Sequence, residues 1–340
     1  MMLMLVTLLA VLLLGLLYQL TGVLRDRKKY PPPGKLVDLG GSRLHLRTTG
    51  QGSPTVILES GIAASSASWS GIQAMLSKHA TVCSYDRAGF GWSDPRPEPR
   101  TPRQLALELH ELVMHAELQS PFVLVGHSFG GLIVRAFAVQ YPNEVAGLVL
   151  VDALHHGEWL RPTERQKRML RGGVLFSRVG VVLASVGVVR LCLDLATRGS
   201  LAAPKAVLKS FGKDATALVE RIVGEVTKLP PEILPAIRAQ WSRPKPFATM
   251  ARYLAALPQS SSEFTQAPPL PAVPMIVLSA ECAGEQLAAQ RELVSLCTKA
   301  EHRVIRNCGH WMHLDQPEAV VEAVKNVLAQ AHSQAAVRCN

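Results

Sequence analysis

The chain has 340 residues and is 48% hydrophobic, ample for one large domain or two small ones with a full core. Its formal charge is +10 at pH 7, but no nucleic-acid recognition module accompanies the basic residues, so nucleic acid is not an expected partner. Six cysteines (83, 192, 282, 297, 308 and 339) are scattered, with no Cys-x-x-Cys and no Cys/His pairing at metal spacing, so no metal site is expected.

Unpaired, the six thiols fit a reducing compartment. Cys83 and Cys282 lie in or beside apolar runs and read as buried thiols.

Met1–Leu24 carries no charged side chain. As a helix it is about 36 Å long, enough to span a bilayer core. Arg25-Asp-Arg-Lys-Lys29 and then Pro31-Pro-Pro33 follow, a basic, proline-rich linker over 25–34. A cleaved signal peptide is the rival reading. Such a peptide has a basic start, a shorter apolar core and a small-residue cleavage site, and this segment has none of them. The expectation is an uncleaved single-pass anchor. The positive-inside rule then puts the main domain, residues 35–335, on the cytoplasmic side.

From Lys35 the pattern alternates. Lys35–Leu39 and Arg43–Thr48 read as a hairpin through Gly40-Gly41. Thr55–Glu59, Thr81–Tyr85, Phe122–Gly126, Ala146–Val151, Pro274–Ala280 and His302–Arg306 read as short apolar or β-branched strands. Helices lie between most of them. Thr101-Pro102 opens one that runs to about Leu118, and Pro317 opens the last, to about Ala331. The fold class is therefore α/β, with a mainly parallel sheet covered by helices on both faces.

At the fifth strand the run Val123-Leu-Val-Gly-His-Ser-Phe-Gly-Gly131 passes straight into an apolar helix, Leu132–Tyr141. Strand, sharp turn and helix around Gly-x-Ser-x-Gly is the setting of a nucleophile elbow. So tight a turn strains the serine backbone and lifts its hydroxyl clear of the sheet. Positions two before and two after crowd neighbouring backbone, which suits Gly126 and Gly130. The helix start aims its positive end at Ser128, where negative charge would develop. The bland alternative is a Gly-rich turn without chemistry.

Residues 160–260 break the alternation, with helical patterns and no strand. They hold 17 Lys/Arg and 6 Asp/Glu, so nearly all the excess positive charge sits in this insertion. Two readings stand: a solvated basic surface, or attraction to anionic headgroups beside the anchor. Within it, Val174–Leu195 is strongly apolar but contains Arg178 and Arg190, which suits a packed cap helix or an interfacial helix more than a second span.

With these segments in view, the chain resembles the α/β-hydrolase superfamily, in the branch with a helical cap between strands six and seven, here at about 155–265. Four segments carry the resemblance: Glu59-Ser-Gly-Ile-Ala63, Tyr85-Asp-Arg-Ala-Gly-Phe-Gly-Trp-Ser-Asp94, the elbow Gly126–Gly130, and Cys308-Gly-His-Trp-Met-His-Leu-Asp-Gln-Pro317. It covers roughly residues 36–332 and implies a serine hydrolase with Ser128 as nucleophile.

The family order Ser…acid…His puts the base near the C-terminus, at His310 or His313. Gly309-His310 followed by Asp315-Gln-Pro317 matches the family's pattern, and His313 is expected to pack or bond near the last helix. The acid departs from the commonest pattern, because Ser279-Ala-Glu-Cys-Ala-Gly-Glu285 has no Asp after strand seven. Asp152 at the end of strand six is preferred, with Glu281 as the alternative. The oxyanion hole is expected from the backbone N–H groups of Ile62 and Phe129, and Asp86 with Arg87 is expected to brace a loop as an ion pair.

The function implied is hydrolysis of carboxylic esters, of hydrophobic or lipid-derived acyl groups, with no cofactor. Acyl transfer or amide or C–C cleavage by the same triad, and a non-catalytic receptor for an apolar ligand, are the alternatives. A serine nucleophile argues against the epoxide hydrolases and haloalkane dehalogenases of this fold, which use aspartate.

Overall fold

The computed structural model describes residues 1–197, 224–282 and 284–339. Eight strands form one sheet: β1 (Lys35–Asp38), β2 (Arg43–Thr49), β3 (Thr55–Glu59), β4 (Val82–Tyr85), β5 (Phe122–His127), β6 (Val145–Val151), β7 (Met275–Ala280) and β8 (Ala300–Ile305). Their order is β1-β2-β4-β3-β5-β6-β7-β8. β2 is antiparallel to both neighbours, and β4 through β8 pair in parallel. The expected α/β architecture is present, and the strand ends move by one or two residues.

Strand periodicity sorts the core onto two faces. Phe122 and Leu124 of β5, Leu148 and Leu150 of β6, and Met275 and Val277 of β7 point to one side. There they meet helices Pro102–His115 and Gly130–Gln140. Val123, Val125, Val149, Val151, Ile276 and Leu278 point to the other, against Ile72 and Leu76 of helix Ser70–Leu76 and Val320, Val324 and Val327 of helix Pro317–Cys339. Both faces are buried, which is why these strands read as continuous apolar runs.

The insertion between β6 and β7 is helical, with Glu164–Ser185, Val188–Thr197, Leu234–Trp241 and Pro244–Ser262. Part of the expected cap, residues 198–223, and with it Arg198, Lys205, Lys209, Lys213 and Arg221 of its basic charge, lies outside the described residues. The apolar stretch Val174–Leu195 is not one segment. It divides between the first two helices, which are bent by 86°. The chain turns at Gly187, with φ at +77°.

The N-terminal helix runs from Met2 to Lys29, past the expected boundary at Leu24, so the first five linker residues are helical. It is the described helix long and apolar enough to cross a membrane. Its far end is not free of the domain: Gln19 and Asp26 are buried against the cap. Among the described cysteines none is paired. Cys83 is buried as expected, but Cys282 sits half-exposed at the mouth of the loop after β7, and the second buried thiol is Cys297.

Candidate active site

The parallel strands end along one edge, and their register aligns the ends: Glu59 pairs with Gly126, and His127 with Val151. Ser128 follows β5 immediately. Its φ is +54°, a left-handed conformation that a serine adopts only when its surroundings impose it. The imposition is visible. Ser128 N–H bonds to Val151 O at 3.1 Å, and Ser128 O accepts from Gly131 at 2.9 Å and Leu154 at 3.0 Å.

The flanking glycines are required by close approach. A Cβ at Gly126 would lie 2.6 Å from Gly130 O, and one at Gly130 would lie 2.7 Å from the carbonyl oxygens of Glu59 and Ser60. The elbow therefore packs directly on the loop after β3. A Cβ at Gly61 of that loop would stand 3.3 Å from Ser128 Cβ. No hydrogen bond among the described residues uses the N–H of Ile62 or of Phe129. The two expected oxyanion donors are thus unspent, in loops that converge on Ser128.

Asp152 follows β6, also with positive φ at +41°, and is buried. His310 lies in the loop after β8, with about a third of its side chain exposed. Its Nδ1 donates to Asp152 Oδ2 at 2.6 Å. This contact orients the imidazole and, in the neutral ring, leaves Nε2 as the acceptor. Among the described residues, the other Asp152 oxygen receives the Ala280 N–H, at 3.4 Å. Glu281 is exposed and makes no hydrogen bond to His310 or to any other described side chain. Of the two candidate acids, the one brought to the histidine is Asp152.

His313 is buried, and neither ring nitrogen has a partner among the described residues. It packs at 4.6 Å between ring centroids on Trp69 and at 4.5 Å on His127. Burial first, then His310, holds its pKa down to about 3, so it is a neutral packing group.

His127 went unnoticed in the sequence because it occupies a free position of the elbow pattern. Its ring Nε2 donates to His310 O at 2.8 Å, tying the elbow to the histidine loop. Burial, with His313 and His310 beside it, keeps it well below the ordinary histidine pKa and hence neutral.

One expectation is corrected. Asp86 and Arg87 do not pair with each other. Asp86 accepts from His45 at 3.0 Å and from the N–H groups of Ser66 at 2.8 Å and Trp92 at 2.9 Å, bracing its own loop. Arg87 bonds to Glu59 at 2.8 Å and to Ser60 O at 2.6 Å, and also donates to Gly61 O. Adjacent residues on an extended turn face opposite ways, so each needs its own partner. Arg87 thereby clamps the carbonyls of the loop that carries Ile62. Tyr253 of the cap closes the layer above, 5.6 Å from Phe129 and 5.2 Å from the Arg87 guanidinium.

The family model described as the alpha/beta hydrolase fold matches residues 54–176, the segment that holds the elbow and Asp152. The chain has the α/β-hydrolase fold.

An AB hydrolase superfamily protein of Gibberella zeae is 35% identical over 111 residues, 32% of this chain and 34% of that protein. YqjL of Bacillus subtilis is 30% identical over 119 residues, 35% of this chain and 47% of YqjL. The chain spans less than half the length of the curated relatives it matches.

Among solved structures, a thermophilic esterase from Thermogutta terrifontis superposes with a TM-score of 0.60 at 22% identity, covering 88% of this chain and 98% of the esterase. A mutant of a putative epoxide hydrolase from Pseudomonas aeruginosa superposes with a TM-score of 0.66 at 18% identity, covering 89% and 98%. At these identities the likeness is one of fold. This chain carries serine, Ser128, at its elbow.

Proposed function

We propose that this α/β-hydrolase cleaves carboxylic esters of hydrophobic acyl groups, through Ser128, His310 and Asp152 and a covalent acyl-enzyme. The observation that carries the reading is the buried Asp152 carboxylate on His310 Nδ1 at 2.6 Å, at the same sheet edge as a strained serine. His310 Nε2 takes the Ser128 proton as Oγ attacks the acyl carbonyl. Asp152 stabilises the imidazolium, and the N–H groups of Ile62 and Phe129 hold the oxyanion. The alcohol departs with the proton from His310, and water repeats the cycle on the acyl-enzyme. A serine in this position speaks against epoxide opening through an aspartate nucleophile.

We further propose that Met2–Lys29 anchors the chain in a membrane, with the catalytic domain on the cytoplasmic side beside Arg25–Lys29. The test of catalysis is covalent labelling by a fluorophosphonate, followed by a panel of p-nitrophenyl esters of increasing acyl length. Labelling of the wild type and none of Ser128→Ala is the expected result. Equal labelling of both would remove Ser128 from the nucleophile role.

A further inference from the structure

The bend of the cap at Val186–Gly187 touches the N-terminal helix inside its apolar stretch. A Cβ at Gly15 would lie 2.4 Å from Val186 O, and one at Gly187 would lie 2.8 Å from Gly15 O. The two backbones are in contact, as small residues allow at helix crossings in lipid. The seam continues toward the domain through polar groups that pair across it. Arg190 donates to Gln19 at 2.9 Å and pairs with Asp26 at 2.8 Å, and Gln19 donates to Ser242 O at 2.9 Å.

This seam sets a depth. Gln19 is the first amide or charged side chain of the helix. If the hydrocarbon layer ends there, Gly15 lies about 6 Å inside it, at 1.5 Å of rise per residue. If it ends at Leu24, Gly15 lies about 13 Å inside. With either boundary, the bend that touches Gly15 lies below the surface of the membrane that holds the helix.

The composition of the bend fits that position. Val181-Val-Leu-Ala-Ser-Val-Gly-Val-Val189 has no charged side chain. Val182 is 62% exposed and Leu191 is 50% exposed, on either side of the bend that lies against the apolar helix. Toward the N-terminus of the same helix, on the same face, stand exposed Arg178, Leu175, Arg171 and Arg168 at helical spacing. Cations above aliphatics along one stripe is how a helix sits at a headgroup boundary, with its arginines reaching up to phosphates.

Resting on the anchor reading above, we infer that the cap bend, Val181–Leu191, is itself embedded in the bilayer. Val182 and Leu191 lie among acyl chains, and Arg178 and Arg171 lie at anionic phospholipid headgroups. The hydrolase is then seated on the membrane at two points, with its cap against the lipid, and does not hang from a loose tether.

The test uses the full chain in liposomes of phosphatidylcholine and phosphatidylglycerol, with acyl chains brominated or not. Val182→Trp and Leu191→Trp each add a fluorophore to the five native tryptophans. Met114→Trp adds one at the exposed end of helix Pro102–His115, at the opposite edge of the sheet. The emission added at 182 and 191, taken by difference from wild type, is expected to be mostly lost in brominated lipid, with that at 114 unchanged.

Protein that resists carbonate extraction, yet whose added emission at 182 and 191 ignores bromination and is quenched by aqueous iodide, overturns the inference and leaves the anchor standing. A second copy or a protein partner on the bend would show as indifference to both quenchers, which overturns it equally. Release of the whole chain by carbonate would instead bring down the anchor reading and this inference together.

Discussion

Replacing Asp152 by Asn tests the proposed triad at its most specific contact. The substitution keeps the shape of the side chain and the buried position, but an amide has one acceptor and one donor where the carboxylate has two acceptors. In this site Oδ1 faces the Ala280 N–H and Oδ2 faces His310 Nδ1. An Asn that keeps its oxygen toward Ala280 presents NH2 to His310 and forces the imidazole to carry its proton on Nε2. That tautomer cannot accept the Ser128 proton. The reversed amide opposes its NH2 to the Ala280 N–H, and it still supplies no charge to stabilise the imidazolium.

The serine-protease precedent for this swap is a loss of about 10⁴ in kcat, or about 5.5 kcal/mol of transition-state stabilisation. The same order is expected here. The assay is kcat and kcat/KM on a short p-nitrophenyl ester, with Glu281→Gln in parallel. Glu281 is exposed and makes no contact with His310, so its variant should stay within a few-fold of wild type. Retention of activity within tenfold by Asp152→Asn, or a collapse in Glu281→Gln, would refute the argument.

His310→Ala should abolish turnover about as completely as Ser128→Ala, because triad members act as a unit, and His313→Phe should cost less than tenfold in kcat; the reverse order would move the base. Gly130→Ala should destabilise the fold by about 1–3 kcal/mol in urea titration, because the added methyl meets two carbonyl oxygens, and should lower kcat by displacing the loop after β3. Stability should also fall with acid. His313 has a folded pKa of about 3, so between there and the unfolded value near 6.5 the unfolded chain binds the extra proton. Its contribution is intact above pH 6.5 and erodes as pH drops, by about 2 kcal/mol at pH 5. His313→Phe should flatten that slope when unfolding is compared at pH 7 and pH 5, and an unchanged slope would contradict it.

What was legible in the sequence was local. The elbow could be read because its constraints act over five residues: glycines two either side of Ser128, an apolar strand before and an apolar helix after. The parallel sheet could be read because strands buried on both faces must be apolar throughout. The histidine loop could be read from its own short pattern.

Tertiary structure alone decided matters that depend on distance across the chain. Asp152 and Glu281 both end strands at the same edge. Only the packing of the loop after β8, 158 residues from Asp152 in sequence, brings His310 to one of them. Arg87 was misread beside Asp86 because adjacency along the chain says nothing about direction, and its partner Glu59 lies on another strand. The apolar stretch of the N-terminal helix carries no local sign of its contacts with the cap. Gln19 and Asp26 acquire a role only when Arg190 is folded against them, where an unpaired charge would be too costly to bury.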